Sequence, residues 1–354
     1  MEIAIVGLPA SGKTTIFNAV TGGEAQVGMY GPGSKPNLGV AKVPDPRLEL
    51  LESVFRPKRT VPAEITYVDL PQPPDGLGKA AGISGENLNH LQGADALMVV
   101  VRVFEDRSVP HVDDSVDPVR DLETVRSELA LADLEILDRR LSRVADGFKG
   151  AKAPERDALE RERALLTRLK EALDGGSSVR DQTLSRDETR LLEGFKLLTA
   201  KPLMVVANVG EGQPSAAAEV DLPTASLCGA LEMELAAMEP EEEREFRQSL
   251  ELGESGLDSM VRLSYEAMDL ITFFTGNDNE VRAWPVTAGT TAVEAAGKVH
   301  SDFARGFIRA EVVAHADLEE CGSLAEARRR GLLRQEGKSY QVADGDLVNV
   351  LFSV

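Results

Sequence analysis

Apolar positions along the chain follow two rhythms. The first is a set of short, nearly unbroken runs: Glu2-Ile-Ala-Ile-Val6, Ile65-Thr-Tyr-Val-Asp69, Ala96-Leu-Met-Val-Val-Val-Arg-Val-Phe104 and Pro202-Leu-Met-Val-Val-Ala-Asn208. Runs of this length, rich in β-branched residues, predict strands buried on both faces, as in a parallel sheet. A fifth strand is expected just before Cys228. The second rhythm steps by three and four. Leu134, Leu137, Leu141, Val144 and Phe148 form one stripe, and Leu159, Leu166, Leu169 and Leu173 form another beyond Gly150 and Pro154. Two amphipathic helices packed antiparallel would bury both stripes, with the intervening Arg and Glu as a solvated, salt-bridged face. Helices are also expected over 187–198 and 257–272, and from the acidic run Glu239–Glu245, whose carboxylates suit a helix N-terminus. From about Asn277 the pattern changes to short strands, one helix over 292–299 and a turn at Ala343-Asp-Gly-Asp346, which fits a compact β-grasp-like module with Trp284 in its core.

The chemistry sits between the first strand and the helix that follows it. The chain there reads Gly7-Leu-Pro-Ala-Ser-Gly12-Lys13-Thr14, the spacing of a phosphate-binding loop. Glycine permits a turn that aims successive N–H groups at phosphate oxygens, and the helix N-terminus adds its positive dipole end. Ala10, Ser11, Gly12, Lys13, Thr14 and Thr15 are the candidate cradle. Lys13 is expected to reach the β- and γ-phosphates and the Thr14 hydroxyl to ligate Mg²⁺. A second metal carboxylate is needed, and Asp69 stands at the end of the second apolar run, the Walker B position. An aspartate at a strand end also serves simply as a turn former.

The loop after the fourth strand, Asn208-Val209-Gly210-Glu211, occupies the place of Asn-Lys-x-Asp in GTPases. Guanine recognition there depends on a bidentate Asp and a Lys stem over the ring, so Val209 and Glu211 weaken the case for GTP. Asn208, Val209 and Glu211, with Cys228, Gly229 and Ala230, are candidate base-side contacts.

Of 354 residues, 59 are acidic and 39 are Lys or Arg, a net charge of −20. That balance argues against a general basic grip on nucleic acid while leaving room for a local patch. Lys298, His300, Arg305 and Arg309 are candidates for one, with solvated surface as the plainer reading. Cys228 and Cys321 fit no CxxC pattern and read as reduced thiols of a cytoplasmic protein. No segment has the length and apolarity of a membrane span, and Met1 leads straight into a strand without a signal-peptide pattern. No membrane association is expected, and a monomer is.

The chain resembles the Obg-like ATPases, the YchF group of translation-factor-class P-loop NTPases. The resemblance is carried by Gly7–Thr21, Pro36-Asn37-x-Gly39-Val40, Pro44–Leu48, Ser127–Leu134, Lys201-Pro202, Ala207–Glu211 and Cys228–Glu232, then by the tail from Glu280 to Phe352. It implies an α/β P-loop NTPase domain with a mostly parallel sheet (1–122 and 200–274), an inserted antiparallel helical coiled coil (123–199) and a C-terminal β-grasp TGS domain (275–354). It also implies ATP as substrate, Mg²⁺ as cofactor and association with ribosomes. The family uses a loop histidine where Ras-like enzymes use glutamine, and His111 stands at the matching position, where it would orient or deprotonate a water. On this reading the catalytic residues are Lys13 and His111.

Departures from the family pattern bear on turnover. Switch II reads Asp69-Leu-Pro-Gln72-Pro-Pro74, with Gln72 where the family has a glycine and two prolines that stiffen the loop. Ala10 replaces an asparagine linked to monovalent-cation activation, and the Gly31–Ser34 stretch has no cysteine and offers only Ser34 for the switch I threonine. A nucleotide-sensing ribosome-binding protein with little hydrolysis is therefore the alternative to an ATPase. A P-loop small-molecule kinase lacks an acceptor signal.

Overall fold

The computed structural model describes residues 1–23, 25, 35–71, 83, 85–213 and 221–353. In chain order the strands are β1 (Glu2–Val6), β2 (Asn37–Lys42), β3 (Arg59–Val61), β4 (Glu64–Asp69), β5 (Ala96–Arg102), β6 (Leu203–Asn208), β7 (Thr224–Leu227), β8 (Leu270–Gly276), β9 (Glu280–Thr287), β10 (Phe307–Ala314), β11 (Arg334–Glu336) and β12 (Asp346–Phe352). The helices used below are α1 (Lys13–Thr21), α2 (Arg47–Phe55), α3 (Gly85–Gly93), α4 (Pro118–Gly147), α5 (Ala153–Asp174), α6 (Arg186–Leu192), α7 (Gly229–Leu235), α8 (Pro240–Ser249), α9 (Gly256–Ala267) and α10 (Ala292–Val299). Two compact units form: residues 1–39 with 66–259, and residues 40–65 with 260–354.

The first unit is built on a sheet ordered β2-β4-β1-β5-β6-β7, in which β4, β1, β5, β6 and β7 run parallel. β5 and β6 are buried at every residue, which explains why they read as unbroken apolar runs. The chain leaves β1 with β4 on one side and β5 on the other, so the strand order reverses there and the loops at the carboxyl ends open a crevice. Asp117 caps α4 by accepting from the amides of Val119 and Arg120, and Pro118 occupies the first turn, where no N–H is missed.

α4 serves two cores. Leu122, Val125, Leu129 and Ala132 pack on the sheet, whereas Leu137 and Val144 pack with Leu165, Leu166, Leu169 and Leu173 of α5. The boundary expected at residue 123 thus falls inside one continuous helix. The hairpin is antiparallel: the pairs Asp138–Lys170, Arg140–Glu162 and Gly147–Leu159 rise along α4 as they fall along α5. At its root the carboxylate of Asp133, 0 % exposed, accepts from the amides of Leu198 and Thr199 at 2.8 Å and from the Thr199 hydroxyl at 2.6 Å. Burial raises its pKa, opposed by those hydrogen bonds. The helix expected over 187–198 is shorter, α6 ending at Leu192 before 3-10 turns.

The second unit carries the sheet β11-β10-β12-β8-β9-β3, with α10 supplying Ala292, Ala295 and Ala296 to a core that includes Phe273, Val312 and Val348. Trp284 is half-buried against that core, donates from Nε1 to Thr275 Oγ1 and stacks on Phe273. The helix expected to reach Thr272 stops at Ala267, and Leu270–Thr272 join β8 beyond Asp269, which has φ 49°.

Residues 40–65 and 260–274, expected with the nucleotide domain, cluster with this unit for identifiable reasons. β3 pairs in parallel with β9. Arg47 chelates Asp45, donates to Asp344 Oδ2 at 2.8 Å and lies 5.0 Å over the Phe274 ring, contacts that raise its pKa above the ordinary guanidinium value. The Ala343–Asp346 turn is held through both its acids: Asp344 Oδ1 accepts from Thr272 N of β8, and Asp346 Oδ2 accepts from Ala343 N and Tyr340 OH. Burial and then the Asp346 carboxylate push the Tyr340 phenol up to about 12.

Candidate nucleotide-binding site

Gly7 and Gly12 explain why the loop after β1 is spelled as it is. Gly7 has φ 152°, and a Cβ there would sit 2.4 Å from the Val100 carbonyl oxygen. Gly12 has φ 95°, and its Cβ would sit 2.1 Å from Asn208 Nδ2. Neither position takes a side chain without strain. Ala10 also lies in the left-handed region, at φ 58°, on the exposed crest of the turn. Ser11 N closes the turn on Leu8 O at 3.3 Å, and α1 then begins. The Ser11 hydroxyl is buried and, among the described residues, has no hydrogen-bond partner. Thr15 is half-buried on α1 beside the position where a Gly229 side chain would project.

Lys13 is buried within its own loop. Its Nζ donates to the carbonyls of Gly7 at 3.0 Å and Leu8 at 2.9 Å. Desolvation brings its pKa down from 10.5 to about 8, against a raising contribution from the Asp69 charge. A phosphate tail would give this ammonium the compensating charge that two carbonyl dipoles only partly supply.

The two expected metal ligands meet. Thr14 Oγ1 donates to Asp69 Oδ2 at 2.8 Å, and Asn37 Nδ2 donates to the same oxygen at 3.1 Å. Asp69 is 0 % exposed at the end of β4, in register with Ile5 of β1. A buried carboxylate adjoining a threonine hydroxyl on a helix N-terminal turn is a hard-oxygen donor set suited to Mg²⁺. The Pro36-Asn37 pair is visible as a motif, but its sequence does not reveal Asn37 as a member of this group. Ser34, and the switch II positions Gln72, Pro73 and Pro74, lie outside the described residues.

Asn208 binds two loops together instead of projecting freely toward a base. Its Nδ2 donates to Ser11 O at 3.0 Å, and its Oδ1 accepts from Gly229 N at 3.0 Å. A Cβ at Gly229 would fall 2.8 Å from Ile16 Cδ1, so a side chain there would displace Ile16. Cys228 is the N-cap of α7 and makes no side-chain cap bond; Gly229 and Ala230 form the first turn of α7. Val209 is buried and pairs its amide with Leu227 O, while Glu211 is exposed on a turn tied by Gly210 N to Gln213 Oε1. The structure therefore brings Ser11, Asn208 and Gly229 together and leaves Glu211 on the surface.

His111 is engaged on both ring nitrogens. Nδ1 accepts from Asp113 N at 3.1 Å, which leaves the proton on Nε2 for Asp121 Oδ2 at 2.8 Å. Arg120 holds the other Asp121 oxygen through Nη2 at 2.8 Å and Nε at 3.1 Å. The ligand atoms of His111, Asp113 and Asp121 lie within 4.8 Å of one another, and Arg120 supplies that cluster with positive charge. Arg102, 2 % exposed at the end of β5, folds the intervening loop by donating to the carbonyls of Phe104, Val109 and Asp106. In the sequence Arg102 stands out only as the end of an apolar strand.

A parallel sheet whose first strand feeds a glycine loop, a buried lysine and a threonine–aspartate pair defines a P-loop NTPase. Residues 2–133 match a family model described as a 50S ribosome-binding GTPase, and residues 270–353 match YchF-GTPase_C, described as a protein of unknown function (DUF933). The chain is 40% identical to the ribosome-binding ATPase YchF of Bacillus subtilis, covering 100% of both chains. It is 37% identical to the protein of that name from Escherichia coli O157:H7, covering 100% of this chain and 99% of that one. The solved YchF GTPase of Schizosaccharomyces pombe superposes with a TM-score of 0.81 at 28% identity, over 99% of this chain and 97% of that one. The chain belongs to the YchF family. Among the described residues no helix is long and apolar enough to cross a membrane.

Proposed function

We propose that this protein is a Mg²⁺-dependent ATPase that associates with ribosomes, hydrolysing ATP to ADP and phosphate as a conformational switch in the cytoplasm. The relatives named ribosome-binding ATPases support the activity and the partner class. The observation that carries the reading is the burial of Lys13 on the carbonyls of Gly7 and Leu8 beside the Thr14–Asp69 pair. The amides of Ala10 to Thr15 bind the phosphates, Lys13 neutralises the β- and γ-oxygens, and Thr14 and Asp69 hold the metal. Mg²⁺, when bound, screens charge on the triphosphate. Asn208 fixes the cradle against the start of α7, with Val209, Glu211, Cys228, Gly229 and Ala230 on the base side. The absent lysine at 209 and the surface position of Glu211 favour ATP over GTP. The helical insertion over 123–199 and the TGS domain from 275 are the parts read as facing partners, in a monomeric protein.

His111 is the proposed water-orienting base, acting when it leaves Asp121. Its engagement on both nitrogens favours a second reading, a nucleotide sensor with little turnover in this conformation. Phosphate release from Mg-ATP by the parent, by Lys13→Ala and by His111→Ala separates the two. An ATPase releases phosphate only as the parent, whereas a sensor binds ATP and none of the three releases phosphate. Tighter binding of GTP than ATP in competition would overturn the base preference.

A further inference from the structure

A cavity of about 380 Å³ opens on the helical insertion between the middle of α4 and the turn after α6. It is lined by Ile136, Arg139, Arg140, Arg143, Gly194 and Phe195. Three guanidinium groups around one cavity are out of character for a chain of net charge −20. Elsewhere on the same hairpin several basic groups are matched, Arg163 with Glu160, Arg168 with Glu188 and Lys170 with Asp138, while Arg156 and Arg161 of α5 have no ion pair among the described residues. Around the cavity only Arg140 is matched, through a two-point contact with Glu162 at 2.6 and 3.0 Å. Arg139 spends its Nε on the Glu135 carbonyl at 3.1 Å and has no carboxylate partner among the described residues. Arg143 likewise has no ion pair among them. Like charges four residues apart on one helix face repel, so the pair costs stability unless an anion joins it.

The rest of the lining narrows the anion. Ile136 and the half-buried Phe195 supply an apolar wall, and a side chain at Gly194 would meet nothing within 4 Å, so the rim there is open. Forked cations beside an aromatic ring suit a ligand that carries phosphate and a flat ring together. Arg139 and Arg143 are about 6 Å apart along the helix axis, a step that successive phosphates of an unstacked strand can follow. We propose that this cavity is a docking site for single-stranded RNA, with phosphates on Arg139 and Arg143 and a base against Phe195. The choice of RNA rests on the reading of a ribosome-associated protein; the anion site itself does not.

The test is fluorescence anisotropy with the full chain and a labelled single-stranded RNA 12-mer of mixed sequence, from 50 to 200 mM KCl. The variants are Arg139→Glu/Arg143→Glu, Phe195→Ala and a control on the same hairpin, Arg163→Glu/Arg168→Glu. The parent and the control are expected to bind alike. The 139/143 variant should lose at least tenfold in affinity, and its salt slope should fall by about 1.4, roughly 0.7 for each phosphate no longer neutralised. Phe195→Ala should weaken binding about tenfold with the salt slope unchanged. Phosphate release from Mg-ATP, measured on the same preparations, should be equal in the parent and the 139/143 variant. No binding by the parent, or equal binding by the 139/143 variant, overturns the proposal. Displacement of the RNA by polyglutamate at equal charge reassigns the cavity to an acidic protein surface, and displacement by free ATP reassigns it to a nucleotide. A parent that binds RNA through these residues without releasing phosphate would sink the ATPase reading and leave this one standing.

Discussion

His111 Nε2 and Asp121 Oδ2 are 2.8 Å apart, with their side chains 4 % and 3 % exposed. Asp121 is in turn gripped by Arg120, and His111 Nδ1 is taken by the Asp113 amide. The imidazole is thus withheld from any water until this contact opens. A hydrogen bond to a charged group contributes about 1.5–3 kcal/mol. Removing the acceptor with Asp121→Ala is expected to raise the rate of phosphate release about tenfold, while lowering the melting temperature. The gain should vanish in Asp121→Ala/His111→Ala. A rate lowered by Asp121→Ala alone would mean that the carboxylate orients the base instead of restraining it.

Lys13 makes a pH prediction. Its folded pKa, about 8, lies below the unfolded 10.5. Between those values the unfolded chain binds the extra proton, so this group makes the nucleotide-free protein more stable as pH rises from 8 to 10.5. Below pH 8 the buried ammonium costs about 3 kcal/mol. Lys13→Met is therefore expected to stabilise the nucleotide-free protein at pH 7 by up to about that amount and to flatten its pH dependence. Urea titrations at pH 7, 8, 9 and 10 measure both. Affinity of the parent for Mg-ATP should fall as pH passes 8, since the neutral amine cannot hold a phosphate.

Asn208 is predicted to be a brace. Asn208→Ala leaves Ser11 O and Gly229 N without their partner, at a cost of about 2–4 kcal/mol in stability, and should weaken ATP and GTP equally. Asn208→Asp keeps an acceptor for Gly229 N but loses the donor to Ser11 O and sets a negative charge beside the phosphates. It should bind nucleotide more weakly than the alanine variant. Isothermal titration with both nucleotides distinguishes a brace from a base reader, which would shift their ratio.

The metal pair is tested by chelation. In the parent, EDTA should lower ATP affinity at least tenfold, about 1.4 kcal/mol. In Asp69→Asn the amide still accepts from Thr14 Oγ1 but is a poor Mg²⁺ ligand, so EDTA should make little further difference.

The phosphate loop is legible in the sequence because its function constrains the backbone. Only glycine tolerates the geometry at residues 7 and 12, and the flanking periodicities switch from strand to helix where the motif requires. The helical hairpin is legible for a similar reason, since two leucine stripes have to face each other. Less can be read where a side chain's partner is distant in sequence. Nothing local tells that Asn208 reaches Ser11, or that β3 leaves its neighbours to pair with β9. His111 stands out as a residue but not as a restrained one, because its partner is a helix residue whose burial no periodicity announces. Arg102 and Asp133 are charged groups sealed inside the fold, and what holds them is backbone carbonyls and amides that composition does not reveal.

Asp133 has one more effect. By gripping residues 198 and 199 from the middle of α4, it ties the outgoing leg of the detour to the incoming one just ahead of β6. The hairpin is therefore a tethered lever: severing it at its far bend, near Lys149–Lys152, would leave both legs clasped at the base. Any load taken up by the arm reaches first the strand whose last residue, Asn208, holds the glycine loop through Ser11 O.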